Sequence, residues 1–391
     1  MMRHIAVLGA TGQIGGATLE VVRRHPDRCR ASVLVAYRHV EALTDLCALH
    51  RPDLAIIADP TLEAELGRRL TAAGVRCDVA SGHSAIARAC ASSLCNIVVA
   101  AIPGTAGLDS SLAALHANKR LVLTNKASTV LAGPLLLHAL TEGSGELICV
   151  DTELNAVYPC LPGGLQNTDH GSLRRLILTA SGGPFLGHRR ADLIAVTPEQ
   201  ICKHPNNGAR RRALVDSATL MSNGLAAIEA HHLFRTPPEQ IEVRIHPQGQ
   251  LHSFVEYADG STWARFGQPD LLTAISCGLA WPDRIDGTSA QDLARCSPLP
   301  LERPDTETFR CLPLAFQALR AGGDAPAILN VANEVAVEAF LAGALPFLSI
   351  ADVIEQVLME LPPQAVVDIQ TLSERDRTAR AAARQVLRNA C

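Results

Sequence analysis

The stretch that decides the reading is Ile5-Ala6-Val7-Leu8-Gly9-Ala10-Thr11-Gly12-Gln13-Ile14-Gly15, which runs on into a helix-forming segment ending near Arg24. A short apolar run gives way to three spaced glycines and then to a helical pattern, so the order is strand, tight turn, helix. Glycine lets the turn close tightly and lets backbone approach a bound group, while the free N–H groups of the helix start attract phosphate. As a bare pattern G-x-x-G-x-x-G is loose. After a first strand and before a first helix it predicts a dinucleotide site.

Working outward, apolar runs recur at His4–Leu8, Ser32–Ala36, Leu54–Ala58, Asn96–Ile102, Arg120–Leu123 and Glu146–Val150. Helical patterns separate them at Gln13–Arg24, Thr61–Ala73 and Gly107–Ala117. Strands alternating with helices predict a parallel, doubly wound α/β sheet, covered on both faces where the runs are continuously Val/Ile/Leu. After Asp151 the pattern becomes α+β. A strand is expected at Arg174–Thr179, one long helix at Asp216–Phe234, and antiparallel strands at Ile241–His246, His252–Tyr257 and Thr262–Phe266. A Pro-, Ser- and Asp-rich stretch at 287–310 reads as a linker, and the chain from Cys311 onward reads as helices, including Ala325–Ala342 and Ile350–Glu360. The expected organisation is a nucleotide-binding domain over 1–150, a catalytic and dimerisation domain over 151–286, the linker, and a helical domain over 311–391.

The cofactor is read from the second strand, which ends Val35-Ala36-Tyr37-Arg38-His39. An acidic residue there would hold a ribose 2′-hydroxyl. Arg38 instead suits a 2′-phosphate, and no carboxylate follows until Glu41, so NADP is expected over NAD. Composition narrows the partners. With 48% hydrophobic and 19% charged residues the chain can bury a sizeable core. A net charge of −4 and only 3% aromatics argue against nucleic acid, and no apolar run reaches the length of a membrane span. The twelve cysteines are scattered without paired spacing, which predicts reduced thiols and a cytoplasmic protein.

Further clusters carry chemistry: Asn125-Lys126-Ala127-Ser128, Asp151-Thr152-Glu153, Ser181-Gly182-Gly183-Pro184, His204-Pro205-Asn206 and Asp216-Ser217-Ala218-Thr219. Asp151 and Glu153 stand two apart after a strand, and paired carboxylates suit a hard cation such as Mg²⁺ or Mn²⁺. The Ser-Gly-Gly-Pro and Asp-Ser-Ala-Thr segments offer hydroxyls and turn N–H groups to a phosphate.

In this order, and with the later Gly267-Gln268-Pro269-Asp270, Ala280-Trp281-Pro282 and Leu329-Asn330-Val331-Ala332-Asn333-Glu334, the segments resemble the 1-deoxy-D-xylulose 5-phosphate reductoisomerase family over essentially the whole chain. The resemblance implies a homodimeric, metal-assisted enzyme of isoprenoid biosynthesis with a Rossmann-like NADPH domain, an α+β catalytic domain and a C-terminal helical domain. It implies that a 2-ketose 5-phosphate is rearranged and then reduced by NADPH. It places the cofactor on Gly9, Thr11, Gly12, Gln13, Ile14, Arg38 and Asn125, the metal on Asp151 and Glu153, and catalysis on Lys126, Glu153 and His204. Substrate contacts fall to Thr152, Ser181, Ser217, Ser222 and Asn223.

The chain departs from the family pattern at specific places. The third metal carboxylate falls at Ala226, with Glu229 three residues further on, and the phosphate-binding Asn-Lys pair has become Ser222-Asn223. The flap His-Pro-Asn-Trp-Ser-Met-Gly has become His204-Pro205-Asn206-Asn207-Gly208-Ala209-Arg210, leaving Arg210, Arg211 and Arg212 as substitute positive charge. These departures favour an NADPH oxidoreductase retuned to a related hydroxy-carbonyl substrate. Alternatives are the ordinary reductoisomerase and a non-catalytic NADPH-binding or regulatory homologue.

Overall fold

The computed structural model describes residues 2–102, 104–161, 172–202, 208–267, 270–286 and 300–390. The first half alternates β1 (Arg3–Leu8), α1 (Gln13–Arg24), β2 (Cys29–Ala36), α2 (Val40–His50), β3 (Leu54–Ile57), α3 (Glu63–Ala72), β4 (Asp78–Ser81), α4 (His83–Ala91), β5 (Ile97–Ala100), α5 (Leu108–His116), β6 (Arg120–Leu123), α6 (Lys126–Thr141), β7 (Glu146–Cys149) and α7 (Thr152–Val157). There follow β8 (Leu173–Ala180), α8 (Pro198–Ile201), α9 (Gly208–Ala218), α10 (Met221–Phe234), β9 (Ile241–Ile245), β10 (Leu251–Tyr257), β11 (Thr262–Phe266) and α11 (Leu271–Ala280). Helices α12 (Cys311–Ala321), α13 (Ala325–Leu341), α14 (Ser349–Glu360) and α15 (Ile369–Ala390) complete the chain.

Two compact units emerge. The first comprises Met1–Ser128, Pro134–Asn155 and Asp270–Ala290. Its seven strands lie in the order β4-β3-β2-β1-β5-β6-β7, every neighbouring pair parallel, as the alternating pattern predicts. Chain order reverses at the β1–β5 seam, and in such sheets ligands sit beyond the carboxyl ends of the strands. Ile5, Val7, Leu34, Ile57, Val99 and Val122 are buried in the core, each worth roughly 1.5–3 kcal/mol of apolar burial. Ala274, Ile275 and Leu279 of α11 join this core, which is why a segment read in the sequence with the second domain packs with the nucleotide sheet. A methyl group at Gly278 would stand 2.9 Å from Val122, so glycine there lets α11 lie close to β6.

The second unit comprises Thr129–Gly133, Ala156–Pro269 and Gln291–Cys391. Its four-stranded sheet runs β11-β10-β8-β9. Two sequence expectations change here. β9 pairs parallel to β8, so the sheet is mixed instead of antiparallel throughout; direction is set by the long excursion through α9 and α10, not by local pattern. The helix expected over Asp216–Phe234 is two helices, because Leu220 turns left-handed (φ 59°) between α9 and α10. No glycine marks that break. The β10–β11 connection is the expected turn: Gly260 adopts φ 84° and Asp259 accepts the Ser261 N–H at 2.8 Å. The helices from Cys311 onward form as expected. Most of the expected linker, 287–299, lies outside the described residues. No described helix is long and apolar enough to cross a membrane.

Candidate active site

At the carboxyl end of β1 the glycine loop has the shape its sequence demands. Gly9 adopts φ 75°, and a side chain on it would meet the Ala101 carbonyl at 2.7 Å. A Cβ on Gly15 would stand 2.4 Å from the Gly9 carbonyl oxygen, so only glycine lets α1 begin this close to the loop. Gly12 is the N-cap of α1 with extended backbone and no side-chain cap. The first-turn N–H groups beside Thr11, Gln13 and Ile14 are therefore not capped by a side chain, and the cradle fits a pyrophosphate.

Arg38 follows β2, as expected, but has a partner that linear distance concealed. Asp59, at the end of β3, pairs with the Arg38 guanidinium at 3.0 Å. The Thr61 hydroxyl and N–H, and more weakly Arg38, hold the Asp59 carboxyl below its ordinary range. Arg38 remains exposed, so Asp59 orients it without covering it. Asn125 is also committed: its oxygen accepts the Ala127 N–H at 3.2 Å, and its amide donates to the carbonyls of Ile102 and Gly104 and to Ser128. It caps α6 and ties down the loop after β5, which leaves its backbone as the part able to face a cofactor.

Beyond β6 and β7 the same unit brings Lys126, Asp151 and Glu153 together. The Lys126 ammonium lies 2.8 Å from the Asp151 carboxylate, which also accepts the N–H groups of Glu153 (3.1 Å) and Leu154 (3.4 Å). Burial works to raise the Asp151 carboxyl, but Lys126 and these donors override it and hold Asp151 well below the usual range. Burial, and then the negative charge of Asp151, push the Glu153 carboxyl well above its ordinary value, and the two carboxyl groups share a hydrogen bond. The pair is thus an ionised acceptor beside a group that holds its proton near neutrality. A bound cation would reverse that balance. Among the described residues no three His, Cys, Asp or Glu side chains converge. Two carboxylates are nonetheless a sufficient protein share for Mg²⁺, which often keeps water or substrate oxygens in its remaining positions. Of Thr152 only the backbone is described, at the start of α7.

In the second unit the turn after β8 meets the end of α9. Gly182 and Gly183 both adopt positive φ, and a Cβ on Gly183 would strike the Ser217 carbonyl at 2.7 Å. The turn bearing Ser181 is therefore seated against Ser217, with Ser181 Oγ accepting the Gly183 N–H at 3.4 Å. After the left-handed Leu220, Ser222 and Asn223 occupy the first turn of α10, which has no side-chain cap. Ala226 lies on the same helix, 1% exposed. His204 and Asn207 lie outside the described residues. The expectation of substitute charge is corrected at Arg212, which pairs with Glu334 at 2.9 Å and Asp216 at 3.7 Å. Asp216 in turn accepts a 2.7 Å hydrogen bond from the buried Asn333 amide. These ties join α9 to α13 and were invisible in the sequence, where the partners stand more than a hundred residues apart.

Three family models cover most of the chain: "1-deoxy-D-xylulose 5-phosphate reductoisomerase" over residues 5–133, its C-terminal domain over 147–234, and "DXP reductoisomerase C-terminal domain" over 266–382. A 1-deoxy-D-xylulose 5-phosphate reductoisomerase of Xanthomonas campestris pv. campestris is 50% identical over 381 residues, 97% of this chain and 95% of the relative. The chain belongs to the 1-deoxy-D-xylulose 5-phosphate reductoisomerase family. A Paraburkholderia phymatum reductoisomerase is 45% identical over 98% of this chain and 95% of its own length. Among solved structures, the Zymomonas mobilis reductoisomerase in complex with NADPH superposes with a TM-score of 0.92 at 39% identity, covering 99% of both chains. A DOX-P reductoisomerase with fosmidomycin and magnesium follows at 0.90 and 35%, covering 99% of this chain and 98% of its own. Membership carries the enzyme class, and reductoisomerase architecture accounts for both units, the Rossmann-like sheet and the helical C-terminal region.

Proposed function

We propose that the chain is a 1-deoxy-D-xylulose 5-phosphate reductoisomerase of isoprenoid biosynthesis, using NADPH and a divalent cation, Mg²⁺ or Mn²⁺. The observation that carries this reading is the Lys126–Asp151–Glu153 cluster at the carboxyl ends of β6 and β7, in a chain half identical to reductoisomerases along nearly its whole length. A relative solved with NADPH and others solved with magnesium support the cofactors. In this reading Gly9, Thr11, Gly12, Gln13, Ile14 and Asn125 line the cofactor, and Arg38, steadied by Asp59, meets its 2′-phosphate. Lys126 stabilises developing oxyanion charge, Glu153 holds and returns a proton, and His204 closes over the substrate. Ser181, Ser217, Ser222 and Asn223 hold the phosphate, and Thr152 a hydroxyl. A cation held by Asp151 and Glu153 would polarise the substrate's carbonyl and hydroxyl oxygens.

The assay is NADPH oxidation with 1-deoxy-D-xylulose 5-phosphate and either cation. A kcat/KM on the order of 10⁵ M⁻¹s⁻¹ establishes the reading. One observation favours the second reading, a retuned hydroxy-carbonyl substrate: the buried Ala226, joined by neutral Asn223 and by an Arg212 already tied to carboxylates. Turnover of a related hydroxy-ketone but not of the sugar phosphate would establish that one instead. No turnover of either, with NADPH still bound, would return the non-catalytic alternative. The enzyme is further proposed to act in the cytoplasm as a homodimer. Strand β11 is an edge of its sheet and exposes Trp263 (56%) and Phe266 (42%), an arrangement that invites pairing with a second copy.

A further inference from the structure

In the second unit a cavity of about 310 Å³ lies between the turn following β8 and the segment 302–309. Its lining includes the buried Leu220 (2% exposed), Ile245 (1%) and Phe309 (6%). Arg189, Arg190 and Arg303 also line it, and none of them has a carboxylate within ion-pair distance among the described residues. Two carboxylates stand close by, Glu302 and Asp305, so the unpaired state of the arginines is not for want of acids. Asp305 is engaged elsewhere: it accepts the N–H groups of Glu307 and Thr308 at 3.1 and 3.0 Å, closing its own turn.

Both walls are held in place by structure. Ile245 and Glu302 exchange two backbone hydrogen bonds of 2.9 Å, an isolated antiparallel bridge that fixes the 302 segment against β9. The His246 ring and the Pro300 carbonyl are 3.2 Å apart beside it. On the other side Arg189 N–H donates to Asp192 at 2.9 Å, and the Phe185 ring packs edge-on against both His188 and Phe347. The cavity is thus built into the fold, with an apolar part and cationic groups around it. Such a combination matches an amphiphile with one anionic head, because guanidinium groups recognise phosphate or carboxylate and apolar walls take a short hydrocarbon body.

We propose that this cavity is a second ligand site, which takes a small molecule carrying a phosphate or carboxylate head on a short apolar chain. It goes beyond the reductoisomerase reading and does not depend on it. The test is calorimetric titration of the full chain with octyl phosphate, octanoate and inorganic phosphate, in the presence of saturating NADPH. The expected result is saturable binding of one or both octyl compounds, at least tenfold tighter than inorganic phosphate. Arg190→Glu/Arg303→Glu should weaken that binding by roughly ten- to hundredfold, the range for charge-assisted hydrogen bonds, with the melting temperature unchanged because both side chains are exposed. Leu186→Asn, a neutral change at another lining residue, should weaken the octyl compounds and leave inorganic phosphate unaltered. Absence of saturable octyl binding, equal affinity in the double variant, or inorganic phosphate that binds as tightly as octyl phosphate and is weakened alike by the double variant, would each overturn the proposal.

Discussion

Gly15 and Gly16 are neighbours in the first turns of α1, yet substituting alanine should act oppositely at the two positions. A Cβ at 15 would lie 2.4 Å from the Gly9 carbonyl oxygen and 2.6 and 2.7 Å from Ala10 Cα and C. All three are backbone atoms of the phosphate loop, and each contact falls short of ordinary van der Waals separation by more than half an ångström. The loop cannot retreat freely, because Gly9 is itself confined by the Ala101 carbonyl, 2.7 Å from where its own Cβ would be. Overpacking of this kind costs roughly 1–3 kcal/mol. Since the loop is the proposed cradle, that penalty should appear as NADPH binding weakened about ten- to hundredfold. At Gly16 an added methyl meets nothing within 4 Å, and alanine favours helix over glycine by roughly 0.5–1 kcal/mol. Gly16→Ala should therefore bind NADPH as the parent does and melt slightly higher. Fluorescence titration with NADPH, alongside thermal melts, reads both. If Gly15→Ala binds and melts like the parent, or Gly16→Ala is equally damaging, steric contact of the helix start with the loop is not what makes glycine necessary there.

Arg38→Ala should erase most of the preference for NADPH over NADH in paired titrations, while Asp59→Ala, which removes only the orienting partner, should erode it less; equal NADPH affinity in Arg38→Ala refutes the 2′-phosphate contact. Ala226→Glu should tighten Mn²⁺ binding at least tenfold by adding a third carboxylate, and an unchanged isotherm would mean that the shell is completed by another residue. Asn333→Leu leaves Asp216 without its buried 2.7 Å partner, so chemical denaturation should show a loss of about 1–3 kcal/mol; an unchanged midpoint counts against the tie. His232 is pushed down to about 4, chiefly by burial and then by His231, so it is neutral in the folded chain across the range where an unfolded histidine takes up a proton. Its contribution is fully present above about pH 6.5 and fades as pH falls toward 4, a loss of roughly 1–3 kcal/mol that His232→Gln should remove from the pH–stability profile.

The nucleotide half was legible because its signals are local. Strand runs, helix periods and the glycine loop each fall within a dozen residues, and β6 and α1 have the bounds their patterns indicate. Where the sequence misled, the deciding contact was distant. Leu220 carries no turn signature, and its left-handed backbone occurs where α9 stops and α10 starts, between helices that pack against α13 and α12. β9 reads like any half-buried strand, and its parallel pairing with β8 follows from the sixty residues that intervene.

The same distinction governs the site. Asp151 and Glu153 are two apart in the chain, so their pairing could be read directly; that Lys126 completes them depends on β6 and β7 lying side by side. Arg212 shows the converse error. As one of three consecutive arginines it reads as spare charge available to an anion, yet Glu334 and Asp216 take it up, and Glu334 is shared with Arg380. Arg212, with Arg380, holds Glu334 below the usual carboxylate range against the burial that would raise it, so the cluster is an ionised, mutually satisfied tie instead of a reserve. Arg212 is therefore not open to a substrate phosphate, and what α10 offers such an anion is the neutral Ser222 and Asn223 and a helix start whose N-cap, Leu220, gives no side-chain cap. Backbone N–H groups of a helix start can hold it without a lysine, though with less discrimination between a phosphate and another anion of similar size. That is the physical reason the sugar phosphate and a related acidic hydroxy-ketone should both be assayed.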